Sequence, residues 1–526
     1  MGWGKGILLL CVLSGLILAD SKNAFGQASR DGAVPQDNPQ QMNIAMVGKM
    51  IQQLQSQVQD LTLQVKTLKE QQQLALAESA ELRRELQVTQ SQLVSPFARP
   101  AGATSPTGAQ GNAPEAAIED RIAKLEENQQ LADEKAAEQS QTKVESSSKY
   151  RLRLSGIVLL NTYVNRGSVD NQDFPVIATA PMALSSNGTF GGSLRQSQIG
   201  LQGFGPTVAG ARTSAEVRFD FAGGFPDAPN GTSFGIMRLR TGTIRFDWGN
   251  TSVIAGQDSL FIAPLSPTSI ATVAIPAFGY SGDLWSWTPQ VRIEQHFDVG
   301  ENSAVLLQAG LLDSLVGDTP LSNYYRYPTM GENSGQPAYA ARLAWTQAMG
   351  KQKVTIGAGG YYGRQYWGFH RSIDGWAGTA DLTLPLGDRL EFTGQFYRGR
   401  AIGGLGGGIG QSVLWNGDLL DPATDLYGLN SMGGWAQLKY RATPKLQLNT
   451  AFGQDNPFAA DLRQFGGNKT YYPSPLSRNQ SVMGNVLYQP KSDLILSLEY
   501  RRLLTGILDG KTNSANIITT SVGFLF

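Results

Sequence analysis

The stretch Ser521-Val522-Gly523-Phe524-Leu525-Phe526 ends this sequence on an alternating pattern. Read backwards, Ile518, Thr520, Val522, Phe524 and Phe526 fall on one face at a spacing of two. That period is the signature of a β-strand, whose successive side chains point to opposite sides. An edge strand carries a row of unpaired N–H and C=O groups. In hydrocarbon such a row has no solvent to bond, so a terminal strand in lipid must pair with the first strand of its own sheet.

The same period begins at Tyr150. Leu152, Leu154, Gly156 and Val158 alternate with Arg151, Arg153, Ser155 and Ile157. Ala215, Val217, Phe219 and Phe221 alternate with Ser214, Glu216, Arg218 and Asp220. Val291, Ile293, Gln295 and Phe297 alternate with Arg292, Glu294, His296 and Asp298. Leu390, Phe392, Gly394 and Phe396, and later Leu494, Leu496, Leu498 and Tyr500, repeat it. Charged residues recur along one face, which suits a water-filled lumen rather than a compact core. The pattern predicts an all-β transmembrane barrel over 150–526, with about 16 antiparallel strands running from 150–163 to 515–526. Turns such as Ala442-Thr443-Pro444 are short, while 164–192, 314–336, 401–431 and 454–479 are long and rich in Gly, Pro and Asn. Aromatic residues, among them Tyr361, Tyr362, Tyr366 and Trp367, are expected near strand ends as interfacial girdles.

Composition agrees. The chain has 526 residues, 43 basic and 43 acidic, with 61 Gly and 2 His. Balanced charge gives no case for nucleic acid. Gly6 to Ala19 is apolar, follows Lys5, and is too short for a spanning helix; with Ala24 and Gly26 it reads as a signal peptide over 1–26. Cys11, the only cysteine, lies inside it, so the mature chain is expected to hold no disulfide, thiolate metal site or thiol nucleophile.

Residues 41–94 carry heptads. Ile51, Val58 and Val65 fall at one core position and Leu54, Leu61 and Leu68 at the other, so this segment is expected to form an oligomerising periplasmic coiled coil. A Pro/Gly/Ser/Thr-rich linker follows over 95–114, then a second short helical segment over 115–145.

On these features the chain resembles the Gram-negative outer-membrane porins, and most closely the DcaP-like trimeric porins with a periplasmic coiled coil before a 16-stranded barrel. The matching residues are the heptads, the barrel opening Lys149-Tyr150-Arg151-Leu152-Arg153-Leu154-Ser155-Gly156, and the terminal Phe526. The resemblance implies Phe524 and Phe526 as a signal to the barrel assembly machinery, a homotrimer surrounded by outer-membrane lipids, and passive diffusion of small hydrophilic solutes, anions such as dicarboxylates among them. The carbohydrate-selective porins are the alternative family. A structural tether reaching the peptidoglycan of the cell wall through the coil is the alternative function.

Candidate selectivity residues follow from the polar face. Arg218, Arg238, Arg240 and Arg292 fall on it in strict alternation, and guanidinium groups hold their charge and offer several donors to a carboxylate or phosphate. Against them stand Glu216, Asp220, Glu294 and Asp298, which could pair with the arginines and merely brace the wall. The connection 259–288 is unusually apolar and Pro-rich. It is expected either to fold into the lumen as a constriction, with Phe261, Ile270, Phe278 and Trp285, or to pack on a neighbouring subunit. No catalytic residue, metal site or cofactor is expected. His296 and His370 have no neighbouring sequence that names a nucleophile.

Overall fold

Two hydrogen bonds close the molecule: Gly156 N donates to Phe526 O at 2.8 Å, and Phe526 N donates back to Gly156 O at 3.1 Å. The computed structural model describes residues 151–181, 186–225, 235–316, 326–350, 352–465, 475–508 and 510–526. The signal peptide, both helical segments and the heptad residues Ile51, Leu54, Val58, Leu61, Val65 and Leu68 lie outside the described residues.

Sixteen wall strands follow one another around a closed antiparallel sheet. They are β1 (Arg151–Arg166), β2 (Gly188–Ser193 continuing as Gln198–Val208), β3 (Ala211–Asp220), β4 (Arg238–Trp248), β5 (Thr251–Ser259), β6 (Trp287–Asp298), β7 (Ser303–Leu312) and β8 (Ala338–Met349). The second half is β9 (Gln352–Tyr366), β10 (Ser372–Pro385), β11 (Leu390–Arg400), β12 (Asn430–Thr443), β13 (Leu446–Pro457), β14 (Leu476–Lys491), β15 (Leu494–Ile507) and β16 (Thr512–Leu525). Closure runs in register from Ile157↔Leu525 to Arg166↔Asn516. The expected closed barrel of 16 strands is therefore what the chain forms. All long connections follow odd-numbered strands and gather at one rim; the other rim carries short turns.

The outer wall is apolar. Leu160, Ile199, Ile244, Val291, Leu343, Leu498 and Val522 are exposed, one after another around the sheet. A continuous exposed band of this kind suits lipid, not water. Outward aromatics bound it: Tyr339, Tyr362 and Trp376 toward the long-loop rim, Trp345, Tyr440, Tyr488 and Phe524 toward the turns. Tyr339 and Trp345 share β8, which places the belts about 20 Å apart along the strand. Tyr361 does not join the girdle. It neighbours the outward Tyr362, so the pleat turns it inward, where it is 7 % exposed among Leu260–Ala263.

Two local irregularities position the lumen side chains. A bulge in β4 lies where Arg218 pairs with Thr241 and Phe219 with Leu239. It reverses the phase of the strand, so Arg245 faces inward although strict alternation places it outward. In β2 the ladder stops at Leu194–Ser197, and Ser197 Oγ accepts the amide of Leu159 at 3.0 Å in place of a backbone carbonyl.

Gly156 is essential to the seam. A Cβ there would lie 2.4 Å from Gln198 O and 2.6 Å from the Phe526 ring. Gly156→Val is expected to destabilise closure by about 1–3 kcal/mol or more. The heat-modifiable band of folded barrel on a semi-native gel should weaken accordingly.

Candidate functional site

The connection 260–286 lies inside the barrel and runs along its inner wall. Its polar contacts mark the route. Ile262 O accepts Thr379 Oγ1 of β10 at 2.7 Å, and Thr268 N donates to Gln437 Oε1 of β12 at 3.2 Å. Thr268 O then accepts Asn485 Nδ2 of β14 at 2.8 Å, and Ser269 Oγ donates to Glu499 Oε2 of β15 at 2.6 Å. Ala271 O accepts Asn161 Nδ2 of β1 at 3.0 Å and Gln196 Nε2 at 2.7 Å. Val273 N and Ala274 N donate to Gln196 Oε1 in the β2 interruption. Arg240 and Arg238 of β4 donate to Val273 O and Ala274 O. The segment then returns: Arg501 Nη1 of β15 donates to Ala277 O at 2.7 Å, and Asn479 Nδ2 of β14 to Tyr280 O at 2.9 Å. The connection thus forms a collar that touches most of the inner circumference.

Apolar residues seat the collar. Phe261 is 5 % exposed, packed with Ala340, Tyr361 and Ala377 of the wall. Phe278 is fully buried against Trp435, Ala451 and Met483. Ile270 is half-buried. Trp285 meets Tyr280 and Trp287 edge-on, with ring centroids 5.9 and 5.5 Å away. Phe261 and Phe278 are therefore anchors against the wall rather than faces presented to a passage. Gly282 takes φ 99° and presses on the wall. A Cβ there would meet Gly434 O at 2.3 Å and Gln454 O at 2.5 Å. Two other connections meet the collar: Phe174, Val176 and Ile177 of 167–187 and Ile409 of 401–429 cluster with Ala274 and Ile275.

The predicted arginines are all paired. Arg218 Nε donates to Glu216 at 2.5 Å, at an exposed position. Arg238 makes a bidentate pair with Asp220, at 3.0 and 2.7 Å, and Arg240 reaches the same carboxylate at 3.3 Å. Both guanidinium groups lie over the Trp287 ring, 4.9 and 4.7 Å from its centroid. Arg292 bonds Asp258 at 2.7 Å and Glu294 at 2.9 Å. Arg245 bonds Asp247 at 2.8 Å and lies 3.6 Å from Glu294. Asp298 takes no part among the described ion pairs. Arg292 and Arg245 thus share three carboxylates, whereas Arg238 and Arg240 share one. A local cationic excess exists at Arg238 and Arg240 and is absent at Arg292.

Sequence reasoning missed Arg342 and Arg501. Arg342 bonds Asp381 in bidentate fashion at 3.0 and 2.7 Å. Arg501, 2 % exposed, bonds Glu499 at 2.7 Å and holds the collar through Ala277 O and Thr272 Oγ1. Each could have been found from the inward phase of its strand. Their weight comes from partners distant in sequence, Asp381 and Gln308 on the wall for Arg342 and the collar for Arg501, which no local pattern carries. The two histidines stand apart, His296 in β6 and His370 in the connection 367–371. Among the described residues no group of three His, Cys, Asp or Glu could hold a metal ion.

Asp283 of the collar is fully buried, and neither carboxylate oxygen has a hydrogen-bond partner among the described residues. Desolvation pushes its carboxyl up to about 8, only partly offset by the nearby Ser266 hydroxyl and Trp435 indole.

No protein-family model matches the chain, and no curated protein matches it. Solved structures do. The barrel is similar to the outer membrane channel DcaP of Acinetobacter baumannii. The TM-score is 0.55 at 16% identity, covering 72% of this chain and 99% of that one. The anion-selective porin from Comamonas acidovorans gives 0.44 at 10% identity, covering 72% and 100%. OmpT of Vibrio cholerae gives 0.42 at 12% identity, covering 72% and 99%. The fold is that of a 16-stranded outer-membrane β-barrel resembling porins.

Two outcomes follow from the collar's contacts. Arg501→Gln leaves Glu499 buried without its cation, at a cost of about 3–5 kcal/mol; calorimetry should show a lower unfolding temperature than wild type. Asp283 has its pKa raised in the folded state, so the seated collar binds the proton more tightly than the unfolded chain. Stability is then lost as pH rises from the ordinary carboxylate range through about 8. Asp283→Asn should make the fall in unfolding temperature between pH 5 and pH 9 measurably smaller than in wild type.

Proposed function

We propose that this chain is an outer-membrane porin that admits small hydrophilic solutes by passive diffusion, with a weak preference for anions. The observation that carries this reading is the collar facing Arg238 and Arg240. A segment spread around the inner wall narrows the water-filled space. Two guanidinium groups with one shared carboxylate leave net positive charge beside it. In a narrow, low-dielectric lumen such an excess raises local anion concentration without a tight binding site. The constriction is 259–288, and the arginines set its polarity. The acids Glu216, Asp220 and Glu294 temper that charge.

Reversal potentials in planar bilayers test this. Changing Arg238 and Arg240 together to Gln should shift the potential toward cation preference while folding is kept. An unchanged potential removes both from the filter, and a cation-preferring wild type overturns the anion reading. Liposome swelling without solute entry from correctly folded protein would sink the channel itself.

The assembly proposed is a homotrimer with residues 41–94 in the periplasm as a coiled-coil stalk; the heptads support it. Removing 27–149 and weighing the product by native mass spectrometry discriminates its roles. Loss of the trimer makes the stalk an assembly element. A trimer of unchanged thermal stability favours the tether, which retention by purified cell wall would then reveal.

A further inference from the structure

The outward face of the seam carries charge that no described residue neutralises. Arg502 of β15 pairs in register with Asn516 of β16, and Asn516 with Arg166 of β1. Even-numbered residues of these strands face outward: Val164, Tyr500 and Ile518, one step toward the turns, are all exposed. Arg166 and Arg502 are therefore two strands apart on the lipid side, about 10 Å between backbones. Arg478 extends the set from β14, opposite Gly506. All three arginines are exposed, and among the described residues none has an ion pair or side-chain hydrogen bond. Tyr500 donates its hydroxyl hydrogen to Asn516 Oδ1 at 2.8 Å. That uses the amide oxygen of Asn516 and leaves its NH2 group to donate.

The result is a surface of three guanidinium groups and one amide donor, at the long-loop edge of the apolar band. Uncompensated guanidinium groups on a lipid-facing strand are costly unless headgroups meet them. A second copy of this chain supplies no match. Near this rim the outward carboxylate among the described strands is Asp374, already held by Tyr362 and lying 3.6 Å from Arg364. Two such patches brought together would repel. Guanidinium forks do match phosphate oxygens.

We propose that Arg166, Arg478 and Arg502, with the Asn516 amide, form a docking surface for phosphate-bearing lipid headgroups of the leaflet at the long-loop rim. The inference rests on the outer-membrane reading, but not on the selectivity of the pore. It places a specific lipid beside the seam where β16 meets β1.

The test is native mass spectrometry of the full-length refolded protein in detergent, titrated with diphosphoryl lipid A. The wild type should retain bound lipid at low micromolar concentration, and the variant Arg166→Gln/Arg478→Gln/Arg502→Gln should retain at least five-fold less. Arg441→Gln, at the turn rim, should bind as wild type. Binding by the triple variant within two-fold of wild type overturns the proposal. Equal binding of dephosphorylated lipid overturns it as well. A triple variant that changes the mass of the assembly while keeping its lipid shows that the arginines face another copy instead. Single-channel conductance of the triple variant should match wild type, so a failure here is separable from a failure of the channel reading.

Discussion

Everything in this molecule depends on leaving no backbone polar group unpaired in hydrocarbon. That demand forces the sheet to close, and closure falls to one pairing of β16 with β1 over ten residues. The terminal residue takes part through its own amide and carbonyl. Once the wall is closed, alternation assigns every second residue to lipid and the rest to the lumen. The charged residues of the lumen face then pair along the wall, chiefly between neighbouring strands. The site is a consequence of closure more than of any local motif.

Inside, the problem is reversed. The collar is a long stretch of irregular backbone away from bulk water, and its carbonyls need donors. The wall supplies them from Asn161, Gln196, Arg238, Arg240, Asn479, Asn485 and Arg501, spread over β1, β2, β4, β14 and β15. Several lumen arginines are therefore occupied in holding the collar, and their charge reaches the passage only where carboxylates are fewer. This separates Arg238 and Arg240, with one acid between them, from Arg292, which sits among more acids than cations.

The wall was legible because its period is local. Sixteen strands, their order and the two unequal rims follow from alternation and turn chemistry alone. The inward fold of 260–286 was suggested by apolar residues in a connection, but its route was hidden, since it depends on side chains from strands hundreds of residues apart. Phe261 and Phe278 looked like constriction residues because they are large and apolar; the same property seats them against the wall. Arg245 reaches the lumen side only through a single bulge, which strict counting cannot see. Tyr361 was assigned to the girdle although its neighbour Tyr362 already occupied the lipid face. The heptads of 41–94 remain a reading of sequence.

The break in β2 has a mechanical meaning. A barrel resists spreading like a hoop, through each ladder of interstrand bonds in turn, and its weakest ladder sets its strength. At Leu194–Ser197 that ladder is replaced by the Ser197 hydroxyl and by Gln196, whose amide bonds the collar and Asp173 O of the connection 167–187. The collar is thus a strut for the wall. Lifting it would soften the wall beside β1, one strand from the seam, so the lining inside and the hoop outside share one mechanical element.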